Sequence, residues 1–262
     1  MAVLHTHAFG SPDGAPLLCV HGISGHGGRF RRAAETGWPD RRTLAVDLRG
    51  HGRSTSDGPW SVERHVADLV DTLDHAGVLD PVDVVGHSFG GLLALHLLAA
   101  APERVRRIVL LDPAVARPGG FGAERASSVV ADVGFASRDE ADAWRRRGLA
   151  EHLDADVVDA VVAEELDQHL VGDDDGRYRF RWFAPAVVTA WGEVCRGVPE
   201  MPVRRPTRLV IASRGGMVTP EVVVALRDRL GEQLSVVEID AGHLLFWDAH
   251  DEMVASVTSA LG

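Results

Sequence analysis

Short apolar runs alternate with amphipathic stretches along most of this chain. Leu17–His21, Thr43–Asp47, Val82–Val85, Arg107–Leu111, Arg208–Ala212 and Ser235–Ile239 are brief apolar runs bounded by turn residues, and each predicts a strand. Val3–Phe9 predicts another, joined to Leu17–His21 through Gly-Ser-Pro-Asp-Gly. Helical spacing fills the intervals. Val62, Val66, Leu69, Val70 and Leu73 fall on one helical face, with Ser61 placed as the N-cap. Phe89–Ala100, Pro220–Leu230 and Asp251–Leu261 predict further helices. Strands separated by helices imply an α/β fold, with a mostly parallel sheet flanked by helices on both faces.

That rhythm breaks from about Pro113 to Pro206. The stretch is rich in Asp, Glu, Arg and Ala, has helical periodicity at Arg138–Leu149 and Ala155–Leu170, and turns at Asp173-Asp174-Asp175-Gly176. It reads as an inserted helical cap. The expected organisation is a core of residues 1–112 and 207–262, with the cap at 113–206.

Composition narrows the classes. A chain of 262 residues, 45% hydrophobic, suits one compact domain with an insertion. A net charge of −11 disfavours nucleic acid as a partner. No window reaches the roughly 18 apolar residues of a membrane span. The N-terminus lacks the basic start and apolar core of a signal peptide. Cys19 falls in a predicted buried strand, far from Cys195, so reduced thiols and a cytoplasmic location are expected. All 27 basic residues are arginine, which excludes a P-loop and a lysine Schiff base.

The chemistry concentrates in loops that follow predicted strands. Gly86-His87-Ser88-Phe89-Gly90 is a G-x-S-x-G sequence between a strand and a helix. A turn that sharp raises the serine hydroxyl above the sheet edge, and side chains at Gly86 and Gly90 would collide with the backbone. Ser88 is therefore a candidate nucleophile. His21-Gly22-Ile23-Ser24-Gly25 follows another strand and leaves backbone N–H groups free for a developing oxyanion, with Ile23 and Phe89 as the candidate donors. Asp240-Ala241-Gly242-His243 follows the last strand and puts His243 where a general base belongs.

Together with Asp47-Leu48-Arg49-Gly50-His51-Gly52-Arg53-Ser54, these motifs resemble the α/β-hydrolase family over nearly the whole chain outside the cap. The resemblance implies a sheet of eight strands or slightly fewer, a lid over the site and no cofactor or metal. It also implies an acid after the strand that follows the cap. There, Gly216 stands at the expected position, and no Asp or Glu occurs before Glu221. Some members carry the acid at the end of the preceding strand, where this chain has Asp112. Asp112 is the assignment that follows; a Ser–His dyad and Asp240 stay open as alternatives.

The remaining candidates have plainer readings. His21 is expected to hold the oxyanion loop, His51 to brace its own loop and His87 to pack beside the nucleophile. His5 and His7 are read as exposed strand residues, and the Asp173–Asp175 run as a solvated turn, not a calcium loop. Arg177–Trp182 alternates charge and aromatic, with arginines outward. Trp182, Phe183, Phe246, Trp191 and Trp247 are candidates to line an apolar pocket. The expected activity is hydrolysis of a carboxylic ester or related acyl bond in a small hydrophobic substrate, by a monomer or homodimer. The alternatives are C–C bond hydrolysis, lactone opening or perhydrolysis at the same site, or a ligand-binding module with little turnover.

Overall fold

A computed structural model describes residues 2–130, 134–150, 153 and 155–262. In chain order the elements are β1 (Thr6–Gly10), β2 (Pro16–Val20), α1 (Arg31–Gly37), β3 (Arg42–Val46), α2 (Val62–His75), β4 (Val82–His87), α3 (Phe89–Ala100) and β5 (Val105–Leu111). They continue with α4 (Gly119–Val130), α5 (Arg138–Ala150), α6 (Ala155–His169), β6 (Leu170–Gly172), β7 (Tyr178–Phe180) and α7 (Ala184–Glu193). The last are β8 (Thr207–Ala212), α8 (Pro220–Leu230), β9 (Leu234–Ile239), α9 (Leu245–Asp248) and α10 (His250–Leu261).

Seven strands form one sheet in the order β1-β3-β2-β4-β5-β8-β9. All neighbours are parallel except β1, which pairs antiparallel with β3. Although β1 and β2 are adjacent in sequence, they do not pair. Both edges of β2 are taken by parallel partners, so β1 can only add outside β3.

The period of two explains why these strands read as continuous apolar runs. Leu18 and Val20 of β2 enter one core with Val84, Leu93 and Leu97. Leu17 and Cys19 enter the other with Val85, Val109 and Met253. Helices cover both faces, as parallel sheets require. α2 begins at Ser61, whose side chain accepts the Arg64 N–H at 3.4 Å, the expected cap. No helix among the described residues is long and apolar enough to cross a membrane.

The stretch between β5 and β8 has its own apolar cluster, which includes Phe135, Leu149, Val161, Val162, Leu166 and Phe180. The periodicity at 138–149 and 155–170 becomes α5 and α6, while α4 and α7 are additional. The Asp173–Gly176 turn closes the β6–β7 hairpin, where Arg179 pairs with Asp173. Phe180 points inward and Arg179 outward. The hairpin then hooks onto the core: Gly52 N–H donates to Arg181 O at 2.6 Å, and Phe183 N–H to Gly50 O at 2.7 Å.

Candidate active site

The candidate loops all leave the carboxyl edge of the sheet, where open α/β sheets bind ligands. Ser88 follows β4 with φ +55° and ψ −118°, a conformation that costs a residue with a side chain on the order of 1–3 kcal/mol. The surroundings impose it. Ser88 N–H donates to Leu111 O at 3.0 Å, and Ser88 O accepts from Gly91 at 2.9 Å and from Ala114 at 3.1 Å. A Cβ on Gly90 would sit 2.1 Å from Val20 O, so the elbow can approach β2 only with glycine there.

Ser88 Oγ lies 3.0 Å from His243 Nε2, and His243 Nδ1 lies 2.7 Å from Asp112 Oδ2. The Asp112 side chain is fully buried, and that of His243 is 19% exposed. Asp112 sits directly beyond β5 at φ +42°, another strained position. Its Oδ1 accepts the Ala212 N–H at 3.3 Å. Room for the carboxylate comes from Gly215, where a Cβ would fall 2.4 Å from Asp112 Oδ2. Asp240 is turned away: its side chain is 89% exposed and pairs with Arg214 at 3.0 Å. Chemically, the three aligned groups can deprotonate a hydroxyl at Nε2 while a buried anion steadies the imidazolium.

The His243 loop is fixed from two sides. Gly242 N–H donates to Asp248, and the His87 ring donates to His243 O at 2.9 Å. His87 also lies face-near to the His243 ring, with centroids 4.7 Å apart.

The two candidate oxyanion donors, the amides of Ile23 and Phe89, are both left without an acceptor among the described residues. Phe89 opens α3, so its N–H has no acceptor within the helix. Ser24 N–H goes to His51 Nε2 at 3.2 Å and Gly25 N–H to Gly22 O at 3.0 Å. Ile23 N–H has no acceptor among the described residues. His21 holds this loop: Nδ1–H donates to Gly22 O at 2.7 Å, and Nε2 accepts the Leu48 N–H at 2.9 Å. His51 braces the same loop from the Asp47–Ser54 segment.

Sequence reasoning missed a buried ionic cluster beside it. Glu165 of α6 accepts from Arg29 at 2.7 and 2.9 Å and from Arg145 at 2.9 Å, and lies 3.3 Å from His26 Nε2. Arg29 in turn donates to Ser24 O at 3.3 Å. The cluster ties α5 and α6 to the loop carrying Ile23. No local pattern signals it, because its members are up to 139 positions apart.

The aromatic candidates are not gathered into one pocket. Phe246 is buried against Phe30 and His87, behind the His243 loop. Trp182 packs on Phe180, Trp144 and His169. Phe183 is 41% exposed and rests on Trp60. His5 and His7 are half-buried, not exposed, because β1 and the residue entering it lay them beside Asp47.

Burial lowers several histidine pKa values, to about 4 at His51 and about 3 at His65, and lowers those of His21, His87 and His169 as well. Unfolded, each titrates near 6.5. Below that pH the unfolded chain takes up protons that the folded chain refuses, so stability falls with acidification. His51 alone accounts for about 3 kcal/mol between pH 6.5 and 4. Glu165, held well below its usual range despite burial by Arg29 and Arg145, adds a further loss below pH 4.5. Urea denaturation from pH 7 to 4.5 is expected to show a steady fall in midpoint. A flat profile would contradict neutral, buried histidines.

The sequence matches the profile of the alpha/beta hydrolase family over residues 17–256. It is 38% identical to lipase LipV of Mycobacterium tuberculosis over 99% of this chain and 98% of that protein. It is 28% identical to N-formylmaleamate deformylase of Pseudomonas putida over 93% of this chain and 87% of that protein. The fold superposes on a marine microorganism esterase with a TM-score of 0.81 at 19% identity, covering 99% of both chains. The chain belongs to the alpha/beta hydrolase family.

Proposed function

We propose that this protein is a serine hydrolase that cleaves a carboxylic ester or related acyl bond through an acyl-enzyme on Ser88. The carrying observation is the continuous hydrogen-bonded line Ser88–His243–Asp112. Ser88 Oγ attacks the carbonyl carbon while His243 Nε2 takes its proton. The tetrahedral oxyanion faces the N–H groups of Ile23 and Phe89. His243 then protonates the departing alcohol. Water, deprotonated by His243, attacks the acyl-serine and frees the carboxylic acid. Asp112 holds the ring and stabilises its charged form. No step draws on a metal or cofactor.

Residues 113–206 serve as a lid in this reading. Leu244 and Trp247, flanking His243, pack against the apolar cluster of that segment, and Ile23 and, from that segment, Trp191 each pack against the sheet's own core. These apolar walls suit a small hydrophobic acyl group, with Trp182, Phe183 and Phe246 as outlying contributors. The full-length likeness to LipV supports ester cleavage. The free Cys19 and Cys195 suit a reducing, cytoplasmic setting.

The likeness to N-formylmaleamate deformylase favours a second reading, in which the same three groups open a different acyl bond, C–N, C–C or lactone. A fluorophosphonate probe followed by mass spectrometry is expected to find one adduct, on Ser88. Absence of labelling would turn the reading towards a binding module. With labelling in hand, turnover of short-chain p-nitrophenyl esters above that of amides, lactones and vinylogous diketones supports the ester reading. The reverse order supports the second.

A further inference from the structure

Away from Ser88, the chain entering β1 lays two imidazoles, His5 just before the strand and His7 within it, beside a buried carboxylate. His5 and His7 are two residues apart on extended chain, so their rings fall on the same side. The ring centroids are 4.8 Å apart and nearly perpendicular. Asp47, one residue past β3, faces them across the antiparallel pair, with its N–H bonded to His5 O at 2.8 Å. His7 Nε2 is 3.0 Å from Asp47 Oδ1, and one ligand atom from each of the three residues lies within 4.8 Å of the others.

We infer that His5, His7 and Asp47 form a binding site for a divalent transition-metal ion of the zinc, cobalt or nickel class. Two imidazoles and one carboxylate suit these ions, whereas magnesium and calcium prefer all-oxygen shells. The carboxylate is already oriented as a ligand needs. Oδ1 accepts the Gly27 N–H at 2.8 Å, and Oδ2 accepts the Arg53 N–H at 2.9 Å. Such outer hydrogen bonds set the ligand's direction and leave a lone pair for the ion.

Binding needs two small changes. The His7 ring shifts to its Nδ1–H tautomer, its proton exchanging from Nε2 to Nδ1 through solvent, and the metal takes the place of the Nε2 proton between His7 and Asp47 Oδ1. The His5 ring turns inwards, because ligands about 2.0–2.1 Å from a tetrahedral ion are only about 3.3 Å apart. No hydrogen bond holds the His5 ring in place among the described residues. Water completes the shell. His7 and Asp47 also line a polar cavity of about 240 Å³ with His26, Gly52 and Arg53, which supplies the entry path. Through Gly27 and Arg53, the ion would fasten edge strand β1 to both loops that frame the Ile23 segment. The inference is independent of the Ser88 chemistry and stands or falls without it.

The test uses the whole chain, stripped with chelator and titrated with cobalt(II). The expected result is saturation near one equivalent, with the visible absorption of four- or five-coordinate cobalt. Zinc at about a hundredfold excess over its dissociation constant should raise Tm by roughly 5 °C, and magnesium should not. His5→Gln keeps both backbone bonds of that residue, and His7→Gln keeps an N–H for Asp47, so each variant should match the metal-free Tm of the wild type. Each should weaken cobalt binding at least tenfold, while His75→Gln, at the exposed end of α2, should not. If His7→Gln fails to fold, His5→Gln decides alone. No one-equivalent site in the wild type, or unchanged affinity in His5→Gln, overturns the inference.

Discussion

Ser88→Ala and His243→Ala are each expected to lower kcat for an ester by about a millionfold, and the double variant by no more than either. The non-additivity follows from the geometry. Ser88 Oγ and His243 Nε2 share one hydrogen bond of 3.0 Å, so removing either end removes the same proton transfer. What survives, roughly 10³–10⁴-fold over water, comes from the amides of Ile23 and Phe89 and from substrate binding. Folding should be spared. The strained backbone at Ser88 is held by main-chain bonds to Leu111, Gly91 and Ala114, none of which needs the hydroxyl. Steady-state kinetics with thermal melts of all three variants check this. Activity within tenfold of the wild type in either single variant would remove that residue from the reaction. Additive losses would mean that the two act in separate steps.

The strands were legible because burial on both faces leaves a simple signature. β2 and β4 are almost wholly buried and β5 is buried from Ile108 to Leu111, so each holds an unbroken apolar stretch (Leu17–Val20, Val84–Val85 and Ile108–Leu111), and the runs stand out. Strand pairing was not legible at β1. The sequence shows a turn between two strands, but the free edge of β3 is decided by β2 and β4 together. Helix α4 was hidden for another reason. Gly119, Gly120 and Gly122 lower its helix propensity, and its contacts with α7 outweigh that cost. The candidate site shows the same division. Motif loops mark where the serine and histidine emerge from the sheet. Long-range partners such as Glu165 with Arg29 and Arg145 have no periodicity to betray them, and the two imidazoles over Asp47 become neighbours only through β1–β3 pairing.

Asp112→Asn is expected to reduce kcat by about 10⁴-fold with little change in KM or Tm. The sequence leaves three possibilities for the acid, and the structure gives them unequal positions. Asp112 Oδ2 is 2.7 Å from His243 Nδ1, whereas Asp240 faces solvent beside Arg214. An asparagine fits the same space. Its carbonyl can keep the Ala212 N–H while its amide turns to His243. Nδ1 must then accept a hydrogen bond where it previously donated one, so Nε2 carries the ring's hydrogen and cannot take another from Ser88. The loss is one of tautomer, not of shape, which is why stability should hold. Asp240→Asn should leave kcat within twofold. Near-normal turnover in Asp112→Asn with a crippled Asp240→Asn would hand the role to Asp240, and near-normal turnover in both would leave a Ser–His dyad. Gly215 bears on the same choice. Any side chain there would enter the space of the Asp112 carboxylate, so the glycine beside the empty acid position at Gly216 is what lets the charge reach His243 from β5.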